Sequence, residues 1–397
     1  MKYFILIVVI AFANSCDKSQ SGDTKKNIPK NIVKEVKNIP SKLESVDTIR
    51  YLCQYKDIGL QVIKDGKLNL GDIDKICYDE NKQLFFILDT RTNPGVYLFN
   101  ASGEYLYKIG MQGRGPGEYI KPLDIILIKE AERVVVVDRK SLQILVYSYN
   151  GDSLYQFSTK IDKNKIIYPD AIQYADGKFY VVSLYNTLGS NLAVSIFDLK
   201  GKYLKSTYFL DKRTVKGPRL SQYPKIFNLY DKKLYIPSMY NLQMGELSLT
   251  DNTITMLSVE NQYINSVGKT ALMMMDKIIS RRPPYNYSEI LNLLVDNIEH
   301  FYFININQHY RFIKTSRRIL LYDGDWNLLF VKNQEDFKIA PRQYRYPAGS
   351  KYLYLFGKIA GSWSQGIICA GYDPSISDQY NDSLPTIRLF RFQGTNK

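Results

Sequence analysis

Three features of the sequence predict an all-β fold made of repeated units. Six short apolar runs, each preceded by a polar turn cluster, recur at intervals of 45 to 67 residues and begin at Leu84, Val134, Phe179, Leu234, Phe301 and Tyr352. Further apolar segments flank these runs at turn distance, which gives about four strands in each unit. Long helical patterns between the strands are lacking, and this excludes an α/β fold. Together these features predict a six-bladed β-propeller of four-stranded antiparallel blades.

The strands of the first three units are the best defined. In the first unit, clusters rich in Asp, Asn and Gly separate Ile73–Tyr78, the run at Leu84, Val96–Asn100 and Tyr105–Ile109. Such clusters supply the turns of β-hairpins. In the second unit, Val134–Val137 is apolar at four successive positions. This pattern indicates a strand buried on both faces, as expected for a blade between two neighbours.

The two ends of the chain are predicted to close the ring. After the run at Tyr352 the sequence offers one further strand, Thr386–Phe392, whereas Leu43–Leu52 is an unmatched strand at the other end. Pairing of these two strands would remove two exposed sheet edges. We therefore expect residues 43–397 to form one propeller, closed by its N-terminal strand.

The later units are less regular. The fifth is expected to begin with Ile290–Val295, before the run at Phe301. Residues 260–287 interrupt the repeat and include TALMMMDKIIS before two prolines, which predicts a short helix. A second insertion, residues 358–385, carries the polar stretches GSWSQG and GYDPS and is expected to be a loop.

Residues 1–16 have the pattern of an export signal. One positive charge at Lys2 is followed by an apolar run from Tyr3 to Ala13 and by small residues before Cys16. The run is too short to span a membrane as a helix, so the pattern predicts export. It resembles a bacterial lipoprotein lipobox, with Ala13 where Leu is usual. That resemblance implies acylation of Cys16 and membrane anchoring through its acyl chains; ordinary secretion is the alternative.

Residues 17–42 are expected to be a flexible tether. They hold seven lysines against three acidic residues and have no aromatic side chain. The whole chain has a formal net charge of +14, which permits attraction to acidic surfaces. Export argues against nucleic acid as the acidic partner, and a monomer is expected.

One Gly-rich segment stands between the first and second units. Residues 107–119 read YKIGMQGRGPGEY. Its glycines allow a close chain reversal, and Pro116 stiffens the passage between blades. The segment resembles the inter-blade segment of NHL-repeat propellers, and more closely that of six-bladed propeller lipoproteins of Gram-negative bacteria. This resemblance implies a lipid-anchored propeller of the cell envelope, at the outer membrane.

Four residues are candidates for ligand binding. Loops on a rigid scaffold often carry function, so Arg114 and Glu118 of the Gly-rich segment are two of them. Trp363 and Tyr372 lie in the second insertion and are the others, because an exposed aromatic ring can stack on a sugar or a peptide. The alternatives are a purely structural loop for the first pair and packing against the propeller for Trp363.

Sequence motifs for catalysis, metals and cofactors are lacking. His300 and His309 are nine residues apart, which fits no zinc pattern, and we expect them at the surface or in turns. The sequence contains no phosphate loop, nucleophile elbow or calcium loop, so neither a cofactor nor a metal is predicted. The expected function is a non-catalytic binding or scaffold module for a glycan or a protein. The alternative is a lyase or hydrolase centred on the propeller channel.

Three cysteines remain beside Cys16. Two arrangements are open: one disulfide of Cys53 with Cys77 or with Cys369, or three reduced thiols.

Overall fold

The computed structural model describes the part of the chain that forms most of the predicted strands. The described residues are 33–38, 52–60, 70, 73–183, 185–186, 192–209, 227–237, 243–259, 273–274, 277, 301–315, 318–333, 358–364, 366–372 and 385–392. They all belong to one compact unit, residues 31–397. Within them, no helix has the length and apolar character needed to cross a membrane. Cys16 and the rest of the predicted export signal lie outside the described residues.

The first three sheets each have four antiparallel strands, and neighbouring strands follow one another in chain order. The first sheet contains β3 (Ile73–Asp79), β4 (Leu84–Asp89), β5 (Gly95–Asn100) and β6 (Tyr105–Ile109). The second contains β9 (Pro122–Ile128), β10 (Arg133–Asp138), β11 (Gln143–Ser148) and β12 (Ser153–Ser158). The third contains β14 (Ala171–Ala175), β15 (Lys178–Ser183), β17 (Leu192–Asp198) and β18 (Tyr203–Phe209). The strands predicted for these units are confirmed.

Three further sheets follow. The fourth contains β19 (Asn228–Tyr230), β20 (Lys233–Pro237), β21 (Gln243–Ser248), β22 (Ile254–Ser258) and, at its edge, β1 (Val33–Asn38). The fifth contains β23 (Phe301–Ile306), β24 (Tyr310–Thr315), β25 (Arg318–Asp323) and β26 (Leu328–Asn333). The last contains β27 (Lys358–Trp363), β28 (Gly366–Tyr372), β29 (Pro385–Phe392) and β2 (Leu52–Gly59). The described fold is an all-β propeller with five four-stranded antiparallel sheets, and its fourth sheet differs from the predicted blade by a fifth strand.

Two short pairs of strands lie between the sheets. β7 (Met111–Gln112) runs parallel to β8 (Glu118–Tyr119), and β13 (Ile167–Tyr168) is antiparallel to β16 (Tyr185–Asn186). The β7–β8 pair lies within the Gly-rich segment that connects the first sheet to the second.

The hydrophobic cores lie between neighbouring sheets. In β10, Val134 and Val136 pack in a cluster shared with the first sheet, whereas Val135 and Val137 pack in a cluster shared with the third. All four side chains are fully buried, and burial of each contributes about 1.5 kcal/mol or more. The prediction of a strand buried on both faces is confirmed.

The fifth sheet is shifted by one strand from the prediction. Phe301–Ile306 is its first strand, not its second, and the predicted first strand, Ile290–Val295, lies outside the described residues. The true second strand, β24, was obscured by its charged residues. Arg311 is buried there because its guanidinium donates to the carbonyls of Asn307 and Gly324.

Residues 358–363 and 366–372 are strands, so the expected loop insertion is wrong over these stretches. The glycine within β27 results from close packing against β3. A Cβ atom on Gly361 would overlap the carbonyl oxygen of Ile76, so glycine is required where the two strands meet. The expected second strand at Tyr352 lies outside the described residues. Of the other insertion, Met273, Met274 and Lys277 are described, and they are helical, in keeping with the predicted helix.

The N-terminal strand that pairs with β29 lies later in the chain than predicted. β2 spans Leu52–Gly59 rather than Leu43–Leu52, and it pairs with β29 from Leu52–Phe392 to Gly59–Thr386. Lys56 and Asp57 give this segment the appearance of a turn. They occur in a strand because β2 is the outermost strand of its sheet, and Lys56 is exposed there.

A strand also occurs within the predicted tether. Val33–Asn38 forms β1 and pairs in parallel with β22 of the fourth sheet. The sequence of β22, ITMLS, is apolar at three of five positions, and Ile254, Leu257 and Ser258 are buried. An apolar outer strand favours a further strand at its edge, because an uncovered edge would leave unpaired backbone groups and apolar surface exposed.

Candidate functional site

The Gly-rich loop between β6 and β9 has a defined internal structure. Besides the β7–β8 pairing, the backbone N–H of Gly113 donates to the carbonyl oxygen of Tyr119 at 3.0 Å, and that of Glu118 donates to Gly115 at 3.1 Å. Gly117 has a φ of +73°, a left-handed conformation that a residue with a side chain rarely adopts. The predicted chain reversal is therefore present, and the loop has one well-defined conformation.

Two buried tyrosines attach the loop to the strands. The hydroxyl of Tyr119 donates to the carbonyl oxygen of Ile109 at 3.0 Å. The hydroxyl of Tyr147, on β11, donates to the carbonyl oxygen of Gly117 at 2.9 Å. Burial raises the pKa of both phenols well above the ordinary value. Both groups therefore remain neutral donors at physiological pH.

The buried carboxylate of Asp138 joins the loop to the β10–β11 turn. Its oxygens accept from the backbone N–H of Ile120 at 2.6 Å and from the backbone N–H of Lys140 at 3.0 Å. The hydroxyl of Ser141 donates to the same carboxylate at 2.7 Å. A buried carboxylate is stable only when it is paired in this way, so Asp138 links the loop to the second sheet.

Glu118 is directed into the loop. Its Oε2 accepts from the backbone N–H of Gly115 at 2.7 Å. A Cβ atom on Gly113 would overlap this carboxylate, which explains the glycine at that position. The structure thus gives Glu118 a role in shaping the loop, and a direct contact with a ligand stays a prediction.

A surface pocket of about 340 Å³ lies between the loop and the second sheet. It is lined by Gly113, Arg114, Gly115, Pro116, Glu118, Ile120, Ser141, Gln143 and Gln156. Gln156 Oε1 accepts from the backbone N–H of Gly117 at 2.9 Å. Arg114 is exposed, and its guanidinium has no hydrogen bond or ion pair within the described part of the chain. The pocket therefore combines a fixed polar wall with an uncommitted cationic donor.

Sequence reasoning missed Ser141, Gln143 and Gln156. They belong to the second unit and reach the loop only because the β10–β11 turn and β12 pack beside it. The available signal was the polar turn that follows the valine run, but nothing in its pattern specified the loop as its neighbour.

Trp363 is a strand residue, so its expected position on a loop is wrong. It ends β27, and its half-buried ring packs against the core shared by the last and first sheets. The ring centroid lies 6.5 Å from that of Tyr78 in an edge-on arrangement, and the Arg391 guanidinium lies 5.8 Å from the Trp363 centroid. Tyr372 ends β28. Ligand contacts of both residues stay predictions.

The structure does not bring Trp363 to the pocket of Arg114. Ser364, which follows Trp363, donates through its backbone N–H and its hydroxyl to Glu80, at 2.7 and 2.6 Å. Glu80 belongs to the β3–β4 turn, whereas the Gly-rich loop leaves the first sheet after β6, at the opposite end of its strands. The two candidates therefore do not form one site.

The first strands of neighbouring sheets are joined by a buried ion pair. Lys75 Nζ lies 2.8 Å from Asp124 Oδ1, and Asp124 Oδ2 accepts from the backbone N–H of Ile172 at 3.1 Å. Burial alone would lower the pKa of Lys75, but the charge of Asp124 and its hydrogen bond outweigh burial and raise it. Asp124 thus connects the first strands of three sheets.

His309, Cys77 and Cys369 do not line the pocket. The described residues contain no cluster of His, Cys, Asp and Glu suited to a metal ion. His309 is exposed in the β23–β24 turn, in agreement with the prediction, and His300 lies outside the described residues. The Cys77 thiol donates to the carbonyl oxygen of Ile125 at 3.6 Å, and Cys369 is buried; both predicted arrangements of the cysteines stay open.

The sequence matches a known protein family. The family model described as "Domain of unknown function (DUF4934)" matches residues 67–340. This is more than half of the chain, which therefore belongs to that family. None of the curated proteins matches the sequence.

Solved structures with similar folds come from Bacteroides. A candidate exported protein from Bacteroides fragilis NCTC 9343 is 14% identical, with a TM-score of 0.61; the match covers 90% of this chain and 100% of that protein. A member of the DUF4221 family from Bacteroides vulgatus is 11% identical, with a TM-score of 0.57, over 86% of this chain and 99% of that protein. At these identities the similarity concerns the fold.

Proposed function

We propose that this DUF4934 protein is an exported, lipid-anchored module of the Gram-negative cell envelope that binds a glycan or a protein without catalysis. The export signal and Cys16 support the anchor, and the fold it shares with a candidate exported protein of Bacteroides fragilis supports a location outside the cytoplasm. We place the anchor in the outer membrane and expect a monomer.

The proposed scaffold is a closed ring of six blades. The fourth sheet contains four consecutive antiparallel strands besides β1, so we interpret it as a blade with an added edge strand. The pairing of β2 with β29 and the shared core of the last and first sheets support closure by β2. The Gly-rich segment then acts as an NHL-like connection between the first and second blades.

The observation that carries the binding proposal is the exposed Arg114, which makes no hydrogen bond or ion pair with the described residues, beside a pocket with a rigid wall. A guanidinium is planar and can donate two parallel hydrogen bonds to a carboxylate. Ser141 and Gln143 offer neutral groups suited to hydroxyls or amides. The pocket therefore fits an acidic sugar or a peptide carboxylate.

The pocket geometry supports binding over the enzyme alternative. A hydrolase or lyase in the channel would need an acid or base free to exchange protons with a substrate. Asp124, a buried carboxylate in the first strand of the second sheet, is held by Lys75 and the backbone of Ile172. Arg114, in contrast, is free to contact a ligand.

Calorimetry with oligogalacturonate, an uncharged cello-oligosaccharide and peptides with a free C-terminal carboxylate tests the proposal. Arg114→Ala should weaken the binding of acidic ligands by about 1 to 3 kcal/mol. Lys121→Ala is the matched control, because Lys121 is an exposed cation near the loop that does not line the pocket. Equal affinities of Arg114→Ala and the parent protein would exclude the pocket as the site.

The anchor has a separate test. Metabolic labelling with a fatty acid should mark the parent protein and leave Cys16→Ala unlabelled. Label that persists in the variant would contradict anchoring through Cys16 and would leave the pocket proposal unaffected.

A further inference from the structure

The β17–β18 turn carries an unusual combination of exposed residues. Residues 198–205, with the sequence DLKGKYLK, form the third-sheet hairpin. Leu199 and Leu204 are 39% and 45% exposed. Exposed lysines alternate with them at positions 200, 202 and 205. No hydrogen bond or ion pair engages these three ammonium groups within the described residues.

The tip of this hairpin is held in one conformation. Asp198 accepts from the backbone N–H groups of Lys200 and Lys202, at 2.9 and 2.8 Å. Gly201 has a φ of +78°, and a Cβ atom there would overlap the ring of Phe157. The apolar and cationic side chains therefore project from a turn that is attached to the neighbouring sheet.

Corresponding turns in the other described sheets carry different side chains. In each of five turns, the residue before the turn donates its backbone N–H to the carbonyl of the residue that closes it. The closing residues are Glu104, Asp152, Lys202, Thr253 and Asn327. Lysine closes the turn in the third sheet alone among these five, so its charge is not required by the turn geometry.

The outward position of Leu204 follows from an irregularity in strand pairing. Leu204 is an extra residue in a β-bulge, because Ile196 pairs with Lys205 and Phe197 with Tyr203. Leu106 and Leu154 occupy the same bulge in the first and second sheets and are also exposed. An exposed bulge leucine is thus common to three sheets, and the third-sheet hairpin differs by its lysines and by Leu199.

The surrounding charges strengthen the positive field. Lys178 is exposed opposite Asp198, and the Lys165 ammonium lies 3.7 Å from the ring centroid of Tyr203. The nearby acids are Asp162 and Asp176, which are exposed, and Asp198, whose carboxylate is engaged by the turn. Five lysines therefore face three acidic residues in this region.

We propose that the third-sheet hairpin is a membrane contact that inserts its two leucines into the interface of an anionic lipid bilayer. Lysines next to exposed leucines suit the boundary between phosphate headgroups and acyl chains. A convex turn is poorly suited to enclosing a sugar, whereas a fluid lipid surface can surround it. This contact is separate from the pocket of Arg114 and does not require acylation of Cys16.

Vesicle cosedimentation of the full chain tests the proposal. The parent protein should bind equimolar phosphatidylcholine–phosphatidylglycerol vesicles more tightly than pure phosphatidylcholine vesicles. Lys200→Glu/Lys202→Glu should reduce this anionic preference by about 25-fold or more, since each lysine near such a surface contributes about a factor of five and each new glutamate adds repulsion. Leu199→Ser/Leu204→Ser should weaken binding severalfold at constant charge.

Matched variants separate the hairpin from net charge and from exposed leucine in general. Lys121→Glu/Lys140→Glu makes the same change in net charge at exposed lysines outside the hairpin, and Leu154→Ser removes an equivalent bulge leucine. Both should keep the parent affinity. Equal losses in the hairpin and control variants would overturn the proposal. A second result would also overturn it: the lysine variant loses heparin binding as strongly as vesicle binding, and the leucine variant binds vesicles like the parent protein. The partner would then be a soluble polyanion.

Discussion

The Gly-rich loop and the contact between the last and first sheets both use glycine to bring groups close together, yet they leave their neighbouring side chains in different states. In the loop, the backbone is fixed by Asp138, Tyr119 and Tyr147, and the Arg114 side chain is uncommitted. At the sheet contact, Gly361 admits β3, and the Trp363 ring packs beside Tyr78. A rigid backbone can therefore either expose a side chain for binding or bury it by packing.

The largest effect in this comparison is expected from the glycines. In Gly361→Ala the new methyl group would overlap the carbonyl oxygen of Ile76, so β27 and β3 must move apart. We expect a loss of about 3 kcal/mol or more in the free energy of unfolding. Gly115→Ala is the control, because its methyl group would meet the Glu118 carboxylate at 3.1 Å and that side chain can shift. Urea unfolding of both variants measures the difference. Equal losses in the free energy of unfolding would contradict a special requirement for glycine at position 361.

A smaller effect is expected from the two side chains. Trp363→Ala should cost about 2 kcal/mol, below the range for a fully buried tryptophan because the ring is half-buried. Arg114→Ala should change stability by less than about 0.5 kcal/mol, as is usual for an exposed residue. Thermal or urea unfolding tests both values. An unchanged stability of Trp363→Ala would show that its ring is available to a ligand after all.

The smallest effect concerns two ion pairs that join the first and second sheets. Lys75 and Asp124 are shielded, whereas Lys82 and Glu132, 2.6 Å apart, are both about half exposed. Because the folded protein raises the pKa of Lys75, it holds this proton to higher pH than the unfolded chain does. The stabilisation is thus complete below the ordinary lysine pKa and is lost as pH rises through the folded value.

Urea unfolding at pH 8 and in the alkaline range measures this loss. The parent protein should lose more stability than Lys75→Met as the pH rises, whereas Lys82→Met should follow the parent, because water screens its ion pair. Parallel curves for the parent and Lys75→Met would contradict the role of the buried pair.

The sequence predicts the strands of the first three sheets because burial on both faces leaves an uninterrupted apolar run between polar turns. The same rule fails where a strand carries a buried charge or a required glycine. Backbone carbonyls accept the hydrogen bonds of Arg311, and close packing requires Gly361. Each residue gives a strand the sequence pattern of a turn or loop. Only the tertiary partner explains such residues.

The candidate site was predicted in part for the same reason. The glycines and the exposed arginine of residues 107–119 mark a structured loop from the sequence alone. The pocket also needs Gln143 and Gln156, which come from the next sheet. Their position beside the loop depends on how the two sheets pack, which a local sequence pattern does not predict.

The strand β1 has a consequence for the distance that the protein can travel from a membrane. If Cys16 holds the acyl chains, the pairing of Val33 with β22 shortens the leash between anchor and propeller to residues 17–32, and 16 residues span at most about 55 Å. Without β1, the leash would run to β2 and reach about 120 Å. With such an anchor, the shorter leash would confine the propeller to a thin layer above the bilayer. Its effective concentration at the lipid surface would then be high, so that contacts too weak to recruit a free protein would suffice to orient an anchored one.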